Sequence, residues 1–150
     1  MQLNRLFLLI GILVTVCACR SDFETVASKG DLVFSQDTIY LDTVFSTIGS
    51  CTFQLKVYNK SNEDISIPSI QLGKGLNSKY RMTVDGISGN QGKIFQNVTL
   101  LAKDSLYIFI ETTVNAADAN STDFLYTDQI EFDSGVNLQK VALVTLVKDA

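Results

Sequence analysis

Cys51-Thr52-Phe53-Gln54-Leu55-Lys56-Val57-Tyr58 alternates apolar and polar side chains without a break. Successive side chains of an extended strand point to opposite faces. The octapeptide therefore reads as a strand with Cys51, Phe53, Leu55 and Val57 toward a core and the other four toward solvent. The same period recurs on both sides of it. Leu32 and Phe34 begin a short strand, and Ile39, Leu41, Thr43 and Phe45 share one face of the next. Tyr80, Met82 and Val84 follow, then Val98 and Leu100, then the long alternation Leu106, Ile108, Ile110, Thr112 and Val114. Ile130 and Phe132 lead through Asp133-Ser134-Gly135 into Val141, Leu143, Thr145 and Val147, a hairpin pattern. Ile65 and Ile67 are out of phase with Ile70 and Leu72, and Pro68 between them predicts an edge or a bulge. Gly73, Gly75, Gly86, Gly89 and Gly92 mark turns. About eight or nine short strands with no helical crossover predict an all-β, antiparallel sandwich over residues 31–150. Leu55, Val57, Ile108 and Ile110 are expected in its core, on facing sheets.

The first eighteen residues have a different character. Arg5 is the single charge before an apolar run from Leu6 to Val16, shorter than the roughly 20 residues that span a bilayer. A charged start, a short apolar stretch and small residues before a cut form the secretory pattern. Val16-Cys17-Ala18-Cys19 resembles the bacterial lipobox. That resemblance implies cleavage between Ala18 and Cys19 and diacylglycerol on the Cys19 sulfur. Cys17 is the alternative acceptor, disfavoured because Val14-Thr15-Val16 places a β-branched residue where a small one is preferred. Two or more acyl chains anchor stably where one does not, at about 0.8 kcal/mol per buried methylene. The protein is thus expected at the cell envelope, as an outer membrane lipoprotein on the periplasmic face or cell surface. Residues 19–30 are polar and aperiodic and read as a flexible tether, with a root-mean-square span of about 20 Å.

Residues 19–150 would carry 11 basic and 16 acidic side chains, a net charge of −5. No Lys/Arg cluster stands out in the sequence, so nucleic acid is not an expected partner. Cys51 would be left without a pairing partner, which excludes an intrachain disulfide, and its phase makes it a small buried hydrophobe.

The run from Thr47-Ile48-Gly49-Ser50 through Leu55-Lys56-Val57-Tyr58-Asn59, followed by Ile65 to Leu72, resembles Hydin-type immunoglobulin-like domains, relatives of the major sperm protein sandwich. Ala102-Lys103-Asp104-Ser105 leading into Leu106 to Ile110 matches the next turn and strand of such domains. Phe34 to Ile39 and Phe45 to Ser50 are similar to N-terminal regions of Bacteroidetes-type surface lipoproteins, in longer members of which a parallel β-helix follows. The resemblance implies an immunoglobulin-like sandwich that is either a short member of that group or a piece lacking its effector domain. It also implies O-glycosylation at Asp-Ser/Thr-aliphatic triplets, here at Thr38, Thr43 and Ser105. Turn chemistry selects the same Asp-Thr and Asp-Ser pairs at strand starts.

Catalytic signals are few. The chain has no histidine, which removes Ser-His-Asp, Cys-His and His-based zinc arrangements. There is no glycine-rich phosphate loop opening a helix. Asp85, Glu111, Asp128 and Glu131 are the carboxylates from which a glycosidase pair would be drawn, but their positions read as solvated surface. Asp118 to Asp128 is acidic yet lacks the ligand order and glycine of a calcium loop. No metal and no cofactor is expected. Tyr58, Tyr107 and Phe109 lie on the polar phase of their strands. They form a shallow patch for surface glycan or protein, or pack under loops or against a neighbouring domain. The sequence therefore predicts a non-catalytic, lipid-anchored spacer or assembly module, with glycan or protein binding as the alternative.

Overall fold

The computed structural model describes residues 1–16, 24–45, 52–114, 116–119, 122 and 124–148; for residues 12–16, 42–45 and 116 only the backbone is described. A helix, α1 (Gln2–Val16), precedes the strands β1 (Val26–Ala27), β2 (Val33–Phe34), β3 (Thr38–Phe45), β4 (Phe53–Tyr58) and β5 (Ile65–Leu72). Then come β6 (Tyr80–Val84), β7 (Ile94–Leu100), β8 (Ser105–Thr112), β9 (Leu125–Asp133) and β10 (Leu138–Lys148). Among the described residues no helix is long and apolar enough to cross a membrane.

The strands form the two sheets of a β-sandwich. The smaller is ordered β2-β4-β8-β6. In the larger, β5 pairs along one edge with β7 and along the other with β1 and then β9, and the sheet continues through β10 to β3. Alternation made these strands inward on one side, and the inward sets meet. Leu55, Val57, Leu106, Ile108 and Met82 of the small sheet are buried against Ile39, Leu41, Ile67, Ile70, Ile130, Phe132, Val141 and Leu143 of the large one. Burying such side chains is worth about 1.5–3 kcal/mol each and dominates the favourable side of folding.

Four expectations need correction. Leu55, Val57, Ile108 and Ile110 are all fully buried but lie side by side in one sheet, with Leu55 opposite Ile108 and Phe53 opposite Ile110. Period two fixes which face turns inward and says nothing about which strands pair. The sandwich is also not wholly antiparallel: β3 runs parallel to β10, and β1 parallel to β5. In β3, Ile39 and Leu41 are buried as expected, but the pairing steps from Leu41 opposite Thr145 to Val44 opposite Val147. One extra residue sits in β3, so the single face expected from Ile39 through Thr43 to Phe45 is interrupted. The end of the expected tether belongs to the sandwich. Val26 N–H donates to Asp64 O and Ser28 N–H to Ser66 O, both at 2.9 Å, and Ser28 is buried.

Pro68 marks a change of phase but neither an edge nor a register bulge, since β5 is paired on both sides and Ile65 and Ile67 before it and Ile70 and Leu72 after it lie on the same buried side. Its partner position in β7 is Asn97, with φ of 52°. The pairing passes through without a shift, from Ile67–Val98 to Ser69–Gln96. Both strands therefore change phase together, and Phe95 and Leu100 are both buried in β7. Proline has no N–H to give a ladder, and asparagine tolerates the left-handed conformation that absorbs the mismatch.

Two buried polar groups join the sheets at one end. The Tyr80 hydroxyl donates to Tyr126 O at 3.0 Å and lies 2.8 Å from Thr145 Oγ1. Tyr80 and Thr145 are fully buried, so this link ties β6 of the small sheet to β9 and β10 of the large one. At the hairpin between β9 and β10, Gly135 has φ of 86° and donates to Asp133 Oδ1 at 2.7 Å, as the Asp-Ser-Gly reading predicted.

Candidate ligand face

The small sheet has a solvent face built by the polar phase of its strands. Pairing sets it out in rows: Val33 beside Tyr58, Lys56 beside Tyr107, and Gln54 beside Phe109, which is flanked in turn by Thr83. Tyr107 is 38% and Phe109 40% exposed, and Val33 44%. The three aromatic residues singled out from sequence thus come together on one strip of that face.

Sequence reasoning missed the cation in that strip. Lys56 Nζ lies 5.0 Å from the Tyr58 ring centroid and 5.3 Å from that of Tyr107, and Lys60 Nζ lies 4.7 Å from Tyr58. An ammonium over a ring face is attracted by its quadrupole. The Tyr107 hydroxyl beside it raises the Lys56 pKa above its ordinary value. The signal was present, because Lys56 and Tyr58 share one face of the strand that decides the fold. At the strip's far corner Arg81 is paired with Glu111 (2.5 Å), which also accepts from Thr52 Oγ1 at 3.1 Å. The Arg81 guanidinium holds the Glu111 carboxyl below its ordinary pKa.

The other candidate residues do not assemble. Asp85 is exposed in the turn after β6. Glu111 is on the solvent face of the small sheet, and Glu131 is on the large one, accepting from Gln129 Nε2 at 2.6 Å. Asp128 departs from the solvated-surface reading. It pairs opposite the fully buried Leu143, so it occupies the inward phase of β9. There its carboxylate accepts from Lys74 N (3.1 Å), Gln129 N (2.8 Å) and Ser78 Oγ (2.6 Å), fastening the β5–β6 loop. Lys93 closes the same end by donating to Ser78 O and Tyr80 O, and burial pushes its pKa down. Asp118 pairs with Lys79 at 3.3 Å. Among the described residues no group of three or more metal-ligating side chains converges.

Of the modification candidates, Thr38 opens β3 and Ser105 opens β8, both partly buried. Ser105 N–H donates to Asp104 Oδ1 at 2.7 Å, which is the strand-opening turn chemistry itself. Thr43 lies in β3 with its side chain outside the described set, and Cys17, Ala18, Cys19 and Cys51 fall outside the described residues altogether.

No protein-family model and no curated protein matches the chain. Among solved structures it is similar to the periplasmic chaperone SfaE, with a TM-score of 0.49 and 11% identity over 78% of this chain. The chain spans 58% of that chaperone's length. It is also similar to the ASH/PapD-like domain 7 of human CEP192, with a TM-score of 0.46 and 12% identity, covering 90% of this chain and 96% of that one.

Proposed function

We propose that this protein is a non-catalytic module of the cell envelope, held at the outer membrane by lipid on Cys19, whose sandwich serves assembly or positioning. The observation that carries this reading is the solvent face of the small sheet, an organised strip of Val33, Lys56, Tyr58, Tyr107 and Phe109 on a domain whose carboxylates are scattered or engaged in holding loops. Catalysis by paired carboxylates needs two of them across one cleft, and Asp85, Glu111, Asp128 and Glu131 serve separate local roles. The lipobox-like Val16-Cys17-Ala18-Cys19 supports the anchor, and the pairing of residues 26–28 with β5 would shorten the tether between Cys19 and the sandwich. Thr38, Thr43 and Ser105 remain proposed O-glycosylation positions in this setting.

Metabolic labelling with a fatty acid tests the anchor: label is expected on the full chain and on Cys17→Ser, and not on Cys19→Ala. Label retained by Cys19→Ala contradicts the assignment.

A further inference from the structure

We propose that the solvent face of the small sheet binds an acidic glycan chain, with Lys56 taking the anionic group and Tyr58, Tyr107 and Phe109 lying against the sugar rings. This deepens the reading of the domain as an envelope module and rests on it only for where the ligand would be met.

Charge argues for the anion. The residues after the proposed cut carry a net −5, yet Lys56 and Lys60 have no carboxylate within ion-pair distance among the described residues and are held on tyrosine rings instead. The other cation on this face, Arg81, is already neutralised by Glu111. Two amines without a carboxylate partner on the rings of this aromatic strip are complementary to a negatively charged group. Gln54 and Thr83 on the same face, and the Tyr107 hydroxyl beside Lys56, add hydrogen-bonding groups of the kind that orient a sugar.

Size argues for a narrow chain. Four strands about 4.8 Å apart are roughly 14 Å across, and Gln54 to Tyr58 adds roughly 14 Å along β4. That is roughly 200 Å² of projected sheet area, a strip about as wide as one polymer strand. A single polymer strand lying across the rows needs no more than this.

Calorimetric titration of the full chain in neutral detergent would use polygalacturonate, dextran sulfate and neutral dextran oligomers, with flotation on phosphatidylglycerol and phosphatidylcholine vesicles alongside. Saturable binding of at least one anionic oligomer is expected. It should be about tenfold weaker for Lys56→Gln and for Tyr107→Ala, the scale of one lost charge or ring contact. Tyr40→Ser, on a residue 71% exposed in β3 of the other sheet, should bind like wild type. Far-ultraviolet circular dichroism of each variant checks that the sandwich is intact. Three results overturn the proposal: no anionic oligomer binds, neutral dextran binds equally well, or folded Lys56→Gln keeps full affinity. A preference for phosphatidylglycerol vesicles that Lys56→Gln removes, with no oligomer binding, reassigns the face to membrane lipid. Failure here leaves the fatty-acid labelling of Cys19 untouched, so the two readings fall separately.

Discussion

Two tyrosine pairs on this sandwich have opposite fates. Tyr80 and Tyr126 lie with ring centroids 5.2 Å apart at the edge of the core, where the Tyr80 hydroxyl joins the two sheets through Tyr126 O and Thr145. Burial pushes that phenol far above its ordinary pKa. Tyr58 and Tyr107 stand on the outside of the small sheet, with Lys56 between them. Chemistry does not separate the pairs; strand phase does. Tyr80 alternates with the exposed Arg81, and Tyr107 with the buried Leu106 and Ile108. An inward tyrosine must satisfy its hydroxyl inside the protein and so becomes a structural fastening. An outward one keeps its ring available.

The comparison can be broken first at the core. Leu55→Ala or Ile108→Ala removes a fully buried side chain facing the other sheet and should cost about 2–5 kcal/mol in urea denaturation. A loss under about 1 kcal/mol would show that the inward phase is wrong. Asp128→Ala should cost about 1–3 kcal/mol, because Ser78 Oγ and two backbone N–H groups lose their acceptor. The same change at the exposed Asp85 should stay within about 0.5 kcal/mol. This contrast sharpens the point that a carboxylate's role follows its phase.

How much of this was legible varies by element. β4, β6 and β8 could be read residue by residue, because each has one face in the core and one in solvent, and that is the condition for clean alternation. The phase change at Pro68 was also visible. Its counterpart at Asn97 was not, since an asparagine in a strand gives no sign of left-handed backbone until its partner is known. β1 was invisible: Val26 and Ala27 are exposed and are strand only by backbone hydrogen bonds to β5, which leave no mark on side-chain pattern. The parallel pairing of β3 with β10 was hidden because periodicity carries no direction. Asp128 was misread as surface although it shares parity with Tyr126, Ile130 and Phe132, so an acid on the apolar phase of a strand was the overlooked clue. Of the candidate face, the outward phase of the three aromatics was legible, but not whether they stand open or pack under a neighbour, and the lysine between them was passed over as an ordinary solvated charge.

A smaller effect should come from the corner of that face. The Glu111 carboxyl has its pKa lowered in the folded state by Arg81, so its contribution is present above the unfolded-state value and is lost as pH falls through the folded one. The pair is well exposed, which limits it to about 0–1 kcal/mol. Glu111→Gln should therefore lower stability slightly at pH 7 and converge with wild type in acid, as followed by urea midpoints across pH.

The most direct test of the account compares two single hydroxyls. In parallel equilibrium denaturations of the full chain, Tyr80→Phe should lose about 1–3 kcal/mol, because Thr145 Oγ1 and Tyr126 O are left buried with one partner fewer. Tyr107→Phe, on the outer face, should match wild type within about 0.5 kcal/mol. Equal losses, or a larger loss at Tyr107, would contradict the claim that strand phase divides this sandwich into a fastened interior and an open outer face.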